Sequence, residues 1–222
     1  MQHSEALQRL LDSLRADITE ARVLEAIATT PREVFVPPEL ARHAYENRPL
    51  PVGEGQTISQ PLIVATMLQA LAVEPSDAVL DVGTGTGYQA ALLSKLAARV
   101  VTVERTASLA ERARRNLGQL GISNVTVVEA GRELGFPMGG PYNAIVVGAA
   151  ASSVPAGLVA ELAPGGRLVM PVGMPFMQQL VLVRATENGP QPTWLGACQF
   201  APLIGDEGWD AGLWESLNSP DR

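Results

Sequence analysis

Cysteine is nearly missing from this chain: Cys198 is the only one in 222 residues, which excludes an intramolecular disulfide and any multi-cysteine metal site. That usage fits a reducing compartment, so a cytoplasmic location is expected, and no metal. Positive charge is also short. Sixteen Lys and Arg stand against 23 Asp and Glu, for a net charge of −7, and no basic run exceeds the pair Arg114 and Arg115. Binding to a phosphate backbone would lack its usual electrostatic footprint, so nucleic acid is not an expected partner. No apolar run approaches the roughly 18 residues that cross a bilayer. The stretch from Met1 to Thr30 lacks the basic-then-apolar order of a secretory signal, so no membrane association is expected either. Internal repeats and low-complexity tracts are absent as well.

What is there is a globular composition, 46% hydrophobic and 18% charged. The length suits one α/β domain with short appendages. Leu7, Leu10, Leu11 and Leu14, then Val23, Leu24 and Ile27, recur at spacings of three and four, predicting two short amphipathic helices before Pro31. Residues 34–57 are rich in Pro and Gly with little periodicity and read as extended loops, a frequent location for functional residues. A helix is predicted over 60–71, with Ser59 as its candidate N-cap and Pro61 at the first helical position.

From Ala78 the pattern is strand, glycine turn, helix, strand: residues 78–82, 83–87, 88–97 and 100–104. This is a βαβ unit whose near-continuous apolar strands should be buried on both faces. A helix over 108–120, strands at 125–129 and 144–147, a helix over 155–162 and a strand at 167–171 continue the alternation. Residues 180–185 and 193–200 read as a closing hairpin. The expected fold is a doubly wound, mostly parallel Rossmann-like sheet with N-terminal helices and an antiparallel C-terminal end.

The chemistry concentrates at Asp81-Val82-Gly83-Thr84-Gly85-Thr86-Gly87, which ends a strand and opens a helix. Glycines there let a ligand approach the backbone closely. Glu104 ends the next strand roughly twenty residues on, where a carboxylate can bind both hydroxyls of a ribose. The alternative is glycines that only permit tight packing. A nicotinamide dinucleotide fits less well, because its fingerprint needs Gly-x-Gly-x-x-Gly and Tyr88 stands at the last glycine position. Asp81 would also repel a pyrophosphate, whereas it suits the cationic sulfonium and ammonium groups of S-adenosylmethionine.

The upstream segment Leu50-Pro51-Val52-Gly53-Glu54-Gly55-Gln56-Thr57-Ile58-Ser59-Gln60-Pro61 resembles the signature of protein-L-isoaspartate O-methyltransferases. The resemblance extends to Arg22-Val23-Leu24-Glu25-Ala26, Pro31 through Pro37, Gly83 through Ala91, Gly165 through Val169, Pro171-Val172-Gly173 and Pro202-Leu203-Ile204-Gly205. It implies the class I methyltransferase fold in one domain: residues 1–58 carry the N-terminal helices and substrate loop, 59–185 the cofactor-binding core, and 186–222 the C-terminal strand and tail. It implies S-adenosylmethionine as cofactor, isoaspartyl peptides and proteins as substrates, and methylation of the isoaspartyl α-carboxyl as the reaction. Ser59 becomes the catalytic serine, Gln56, Thr57 and Ile58 part of the cofactor pocket, and Glu104 the ribose ligand. Together with Asp81, Gly83, Thr84, Gly85 and Gly87 these are the candidate site residues. A plain helix cap is the competing role for Ser59, and Thr57 has a competing role as a turn residue. Competing functions are a related O-methyltransferase with another acceptor and a cofactor-binding protein without catalysis.

Four positions depart from the family pattern. Ala130-Gly131-Arg132 stands where Gly-Asp-Gly is usual, Asn47 and Asn143 replace aspartates, and Gly148 replaces a frequent Thr. Glu129 or Glu133 is the candidate to reach the adenine in place of the aspartate that Gly131 replaces. Cys198 is read as a small core residue with no role in chemistry.

Overall fold

The computed structural model describes residues 2–217. At its centre lies a seven-stranded sheet built on β3 (Ala78–Val82), β4 (Arg99–Glu104), β5 (Val125–Glu129), β6 (Tyr142–Val147), β7 (Leu162–Met174), β8 (Met177–Thr186) and β9 (Gly189–Cys198), in the order β5-β4-β3-β6-β7-β8-β9. Strands β5 through β7 pair in parallel, whereas β8 and β9 are antiparallel additions. The expected doubly wound sheet with an antiparallel end is present. Its chain order reverses at β3, which has β4 on one side and β6 on the other. Ligands of such sheets bind outside the carboxyl ends of the strands at that switch point.

Alternate residues of each central strand enter different cores, as period-two side-chain geometry requires. Val79, Val100, Ala144 and Val146 join a core with α1 (Gln2–Leu14), α2 (Ala21–Ala28), α3 (Pro61–Leu71), α4 (Tyr88–Leu93) and α5 (Ala107–Gln119). Leu80, Val101, Ile145 and Val147 join the opposite core with Leu158 of α6 (Ala156–Ala160) and Leu203. The last helix, α7 (Ala211–Leu217), buries Trp214 edge-on against Trp209. Among the described residues no helix is long and apolar enough to cross a membrane, and no group of acids, His and Cys could hold a metal.

Several predicted elements change. Residues 34–57 are not simply extended loop. Short 3-10 helices cover Arg32–Phe35 and Pro38–His43, and β1 (Leu50–Gly53) pairs with β2 (Gln56–Ile58) as a hairpin. Glu54 at φ 54° and Gly55 at φ 67° form its apex, the twin positive φ values that match the twist of a tight hairpin. Pro51 hides the strand in the sequence, yet a proline is tolerated in a ribbon with a single neighbour. The helix predicted over 88–97 ends at Leu93, that over 155–162 is confined to Ala156–Ala160, and the strand at 167–171 grows to thirteen residues.

Candidate active site

At the carboxyl edge of β3, β4 and β6 lies a cavity of about 320 Å³, within the range of small-molecule sites. The glycine turn, the β2 hairpin strand, Glu104 and the segment Ala201–Ile204 all line it. Local backbone bonds build the turn: the Gly83 and Thr84 N–H groups donate to the Val103 carbonyl at 2.9 and 3.2 Å. Gly85 adopts φ +54°, and a Cβ there would meet no atom within 4 Å. Its face is therefore open backbone, the surface a closely held ligand requires.

Glu104 forms the acidic floor. It is 7% exposed, its Oε2 accepts from the Gly85 N–H at 2.8 Å, and its Oε1 accepts from the Thr106 N–H at 2.9 Å. Each oxygen has a second lone pair, so the carboxylate is aimed by the backbone and can still accept from two ribose hydroxyls. Open glycine backbone beside an aimed carboxylate is the donor and acceptor set that fits the adenosine half of S-adenosylmethionine.

Asp81 is a correction to the expected site. Its side chain does not line the cavity; it is fully buried below the turn, accepting from Gln89 Nε2 and from Thr102 Oγ1, both at 2.8 Å. Burial pushes its carboxyl up to about 6, the two hydrogen bonds pull back, and the charge of Glu104 adds to the rise. Thr102 Oγ1 in turn lies 2.6 Å from Thr84 Oγ1, so Asp81 supports the turn from beneath. Gly87 is the second correction. It has φ +96°, and a Cβ there would lie 3.3 Å from the Ala113 Cβ, so it lets α5 pack tightly and forms no part of the lining.

Gln56, Thr57, Ile58 and Ser59 line the cavity together, as do Gly83, Thr84, Gly85 and Glu104. Ser59 does not cap α3. Gln60 holds the N-cap position with no side-chain bond, and the Asn47 Oδ1 accepts from the Leu62 N–H at 3.0 Å. The departures from the family pattern separate in the same way. Asn47 caps α3 from a distance, and Asn143 Oδ1 accepts from the Ala78 N–H at 2.9 Å. Both roles need an acceptor oxygen, which an amide supplies as well as a carboxylate does. Gly148 lines the cavity where a Cβ would stand 3.4 Å from the Gly83 oxygen. Glu129 is engaged by Arg114 at 3.1 Å, outside the cavity lining, whereas Gly131 and Glu133 line it.

Sequence reasoning missed the closing wall. Leu203 donates from its N–H to the Ala150 carbonyl, just beyond β6, which ties the C-terminal segment to that loop, and accepts from the Trp209 N–H within the segment, both at 2.7 Å. Pro202-Leu203-Ile204 is visible as a motif but carries no chemical group that would mark it as a lining. Arg32 was also missed: it is fully buried beneath Ser59 and stacks on Tyr88, another lining residue. Burial lowers its pKa, and the Tyr88 side chain opposes that shift.

The family model for protein-L-isoaspartate(D-aspartate) O-methyltransferase matches residues 4–208. The chain belongs to this family. A protein-L-isoaspartate O-methyltransferase of Methanoculleus marisnigri is 50% identical over 192 residues, covering 86% of this chain and 87% of the relative. One from Aeropyrum pernix is 46% identical, covering 96% of this chain and 86% of the relative. Among solved structures, a protein-L-isoaspartate O-methyltransferase superposes with a TM-score of 0.82 at 27% identity, over 91% of this chain and 67% of the other. A Plasmodium falciparum protein described as belonging to the same enzyme class, solved with S-adenosyl-L-homocysteine, gives 0.76 at 25% identity, over 90% and 96%. The chain is thus an S-adenosylmethionine-dependent methyltransferase of the family its hairpin motif resembles.

Proposed function

We propose that this methyltransferase esterifies the α-carboxyl of L-isoaspartyl residues in damaged peptides and proteins, with Glu104, the glycine turn and Gln56, Thr57 and Ile58 holding the cofactor and Ser59 orienting the acceptor. The observation that carries this reading is the shared cavity, in which the signature residues Gln56 to Ser59 and the acid Glu104 form parts of one lining.

S-adenosylmethionine, when bound, supplies a methyl group already activated on a sulfonium. The acceptor carboxyl, with a pKa near 4, is ionised at neutral pH, so the protein need not remove a proton from it. His43 fits that economy, being held by Glu46 and Arg42 outside the lining. Ser59 donates its hydroxyl hydrogen to the carboxylate and fixes its line of approach. Ile58, Val64, Leu109 and Leu203 contribute apolar lining. Excluding water matters because carboxylate and sulfonium lose charge together as the bond forms.

Glu133 takes the adenine contact in this reading, since it lines the cavity and Glu129 does not. Glu133→Ala should weaken cofactor binding about 3- to 10-fold, the loss of one hydrogen bond, and Glu129→Ala should leave it unchanged. Equal behaviour of the two variants in a cofactor titration would remove Glu133 from this role.

Methyl-labelled S-adenosylmethionine offered with an isoaspartyl peptide and with its normal aspartyl twin tests the whole reading. The expected product is a base-labile methyl ester on the isoaspartyl peptide alone. Transfer to both peptides, or cofactor binding with transfer to neither, would overturn it.

A further inference from the structure

Arg32 is the largest fully buried side chain among the described residues, with 0% exposure. A guanidinium is among the costliest groups to remove from water, so a position like this is normally filled by an apolar residue of similar volume. What it does there is specific. Its Nε donates to the Ala44 carbonyl at 2.8 Å and its Nη2 donates to the Ser59 carbonyl at 2.9 Å. Ala44 precedes the β1–β2 hairpin and Ser59 follows it, so one rigid fork ties both stems of the ribbon to a single point. The guanidinium lies 4.7 Å from the centroid of the Tyr88 ring, and Tyr88 opens α4 directly behind the glycine turn. Nη1 and the Tyr88 hydroxyl are both buried without a hydrogen-bond partner of good geometry. The Tyr88 side chain still interacts with the guanidinium, but packing alone would not select a buried cation whose donors are satisfied this poorly.

The chemistry explains why this cation acts from behind the loop. An acceptor carboxylate loses its charge as it takes the methyl group. A guanidinium bonded directly to it would stabilise the starting state more than the transition state and slow the reaction. Donors committed to backbone carbonyls give placement without that pairing.

We propose that Arg32 is a positioning residue for methyl transfer: clamping the Ala44 and Ser59 carbonyls against the Tyr88 ring, it fixes the Ser59 hydroxyl against the acceptor carboxylate. This rests on the role assigned to Ser59 above, and the test separates the two. Lys at 32 keeps the charge but replaces the fork with a point donor. Arg32→Lys, Ser59→Ala and the double variant form a cycle, read as kcat on an isoaspartyl peptide at saturating cofactor, beside cofactor affinity and a thermal melt. Arg32→Lys should lower kcat about 10- to 100-fold, the scale of a misplaced catalytic group, with cofactor affinity held within about 3-fold. In the Ser59→Ala background the same change should cost less than about 3-fold, since the group it positions is gone. A purely structural role would give the same cost in both backgrounds, and that result overturns the proposal for Arg32 while leaving Ser59 in place. An inert Ser59→Ala overturns both. Where Arg32→Lys does not fold, Arg32→Gln, which can still donate to one carbonyl, takes its place in the cycle. Failure of both to fold overturns the proposal by making Arg32 a requirement of the fold itself.

Discussion

The glycine turn and the β1–β2 hairpin line the same cavity but are held by different means. The turn belongs to the main sheet. Its N–H groups bond to Val103 and Glu104 on the neighbouring strand, within bonds of 2.8 to 3.2 Å that the fold itself supplies. The hairpin is a separate two-stranded ribbon, a structure that is marginal alone in water. Side chains from distant elements hold it: Arg32 at the Ser59 carbonyl, Arg112 at the Val52 carbonyl and Ser108 at the Glu54 carboxylate. In the proposed roles, Glu104 and the turn hold the cofactor from the sheet, whereas the hairpin, held by a few long side chains, brings Gln56, Thr57 and Ile58 to the cofactor and Ser59 to the acceptor. Loss of Glu104 and loss of Ser59 should therefore have separable effects.

The largest expected effect breaks the cofactor side. Glu104→Ala removes the two charge-assisted bonds proposed to the ribose and should weaken cofactor binding about 100-fold or more by calorimetry. Ser59→Ala breaks the acceptor side, lowering kcat on an isoaspartyl peptide about 10- to 100-fold in steady-state assays. Gly87→Ala sharpens the distinction between lining and support. It forces φ +96° on a side chain whose Cβ meets Ala113 at 3.3 Å, and should cost about 1–3 kcal/mol in a denaturant melt. Cofactor affinity per folded molecule should change little.

Asp81→Asn gives the smallest effect and a defined pH signature. The folded carboxyl titrates at about 6, above its ordinary 3.8, so the ionised form is a burden on the native state at neutral pH. Folding binds a proton between those values, and wild-type stability falls as pH rises through that window. Asn keeps an acceptor for Gln89 without the charge, so it should be more stable by roughly 1 kcal/mol at pH 7. The gain should shrink below about pH 6 and vanish below the ordinary carboxylate value, as followed by melts across pH. A gain that persists into acid would mean the carboxylate is not the source.

Legibility in the sequence follows the same division. The parallel sheet, the turn and Glu104 could be read because strand periodicity, glycines and an acid at fixed spacing are local signals. Asp81 was misassigned because adjacency to the turn says nothing about which side of the strand a carboxylate takes, and Thr102 with Gln89 takes it inward. Gly87 looked like lining because a glycine selected for helix packing is indistinguishable in sequence from one selected for a ligand. The hairpin was hidden by Pro51 and by a Gly-Glu-Gly apex that also fits a loop. Ser59 was found through the resemblance of its motif, since its local chemistry equally suited a cap that Asn47 supplies from outside the segment. Arg32 and Asn47 act across the chain, through bonds that no local pattern encodes.

The most direct test of this division of labour is the cofactor binding isotherm of Ser59→Ala, run beside Glu104→Ala in the same titration. Binding by Ser59→Ala within about 2-fold of wild type, with Glu104→Ala weakened about 100-fold, is the predicted result. A loss in Ser59→Ala equal to that in Glu104→Ala would contradict the separation of the two walls.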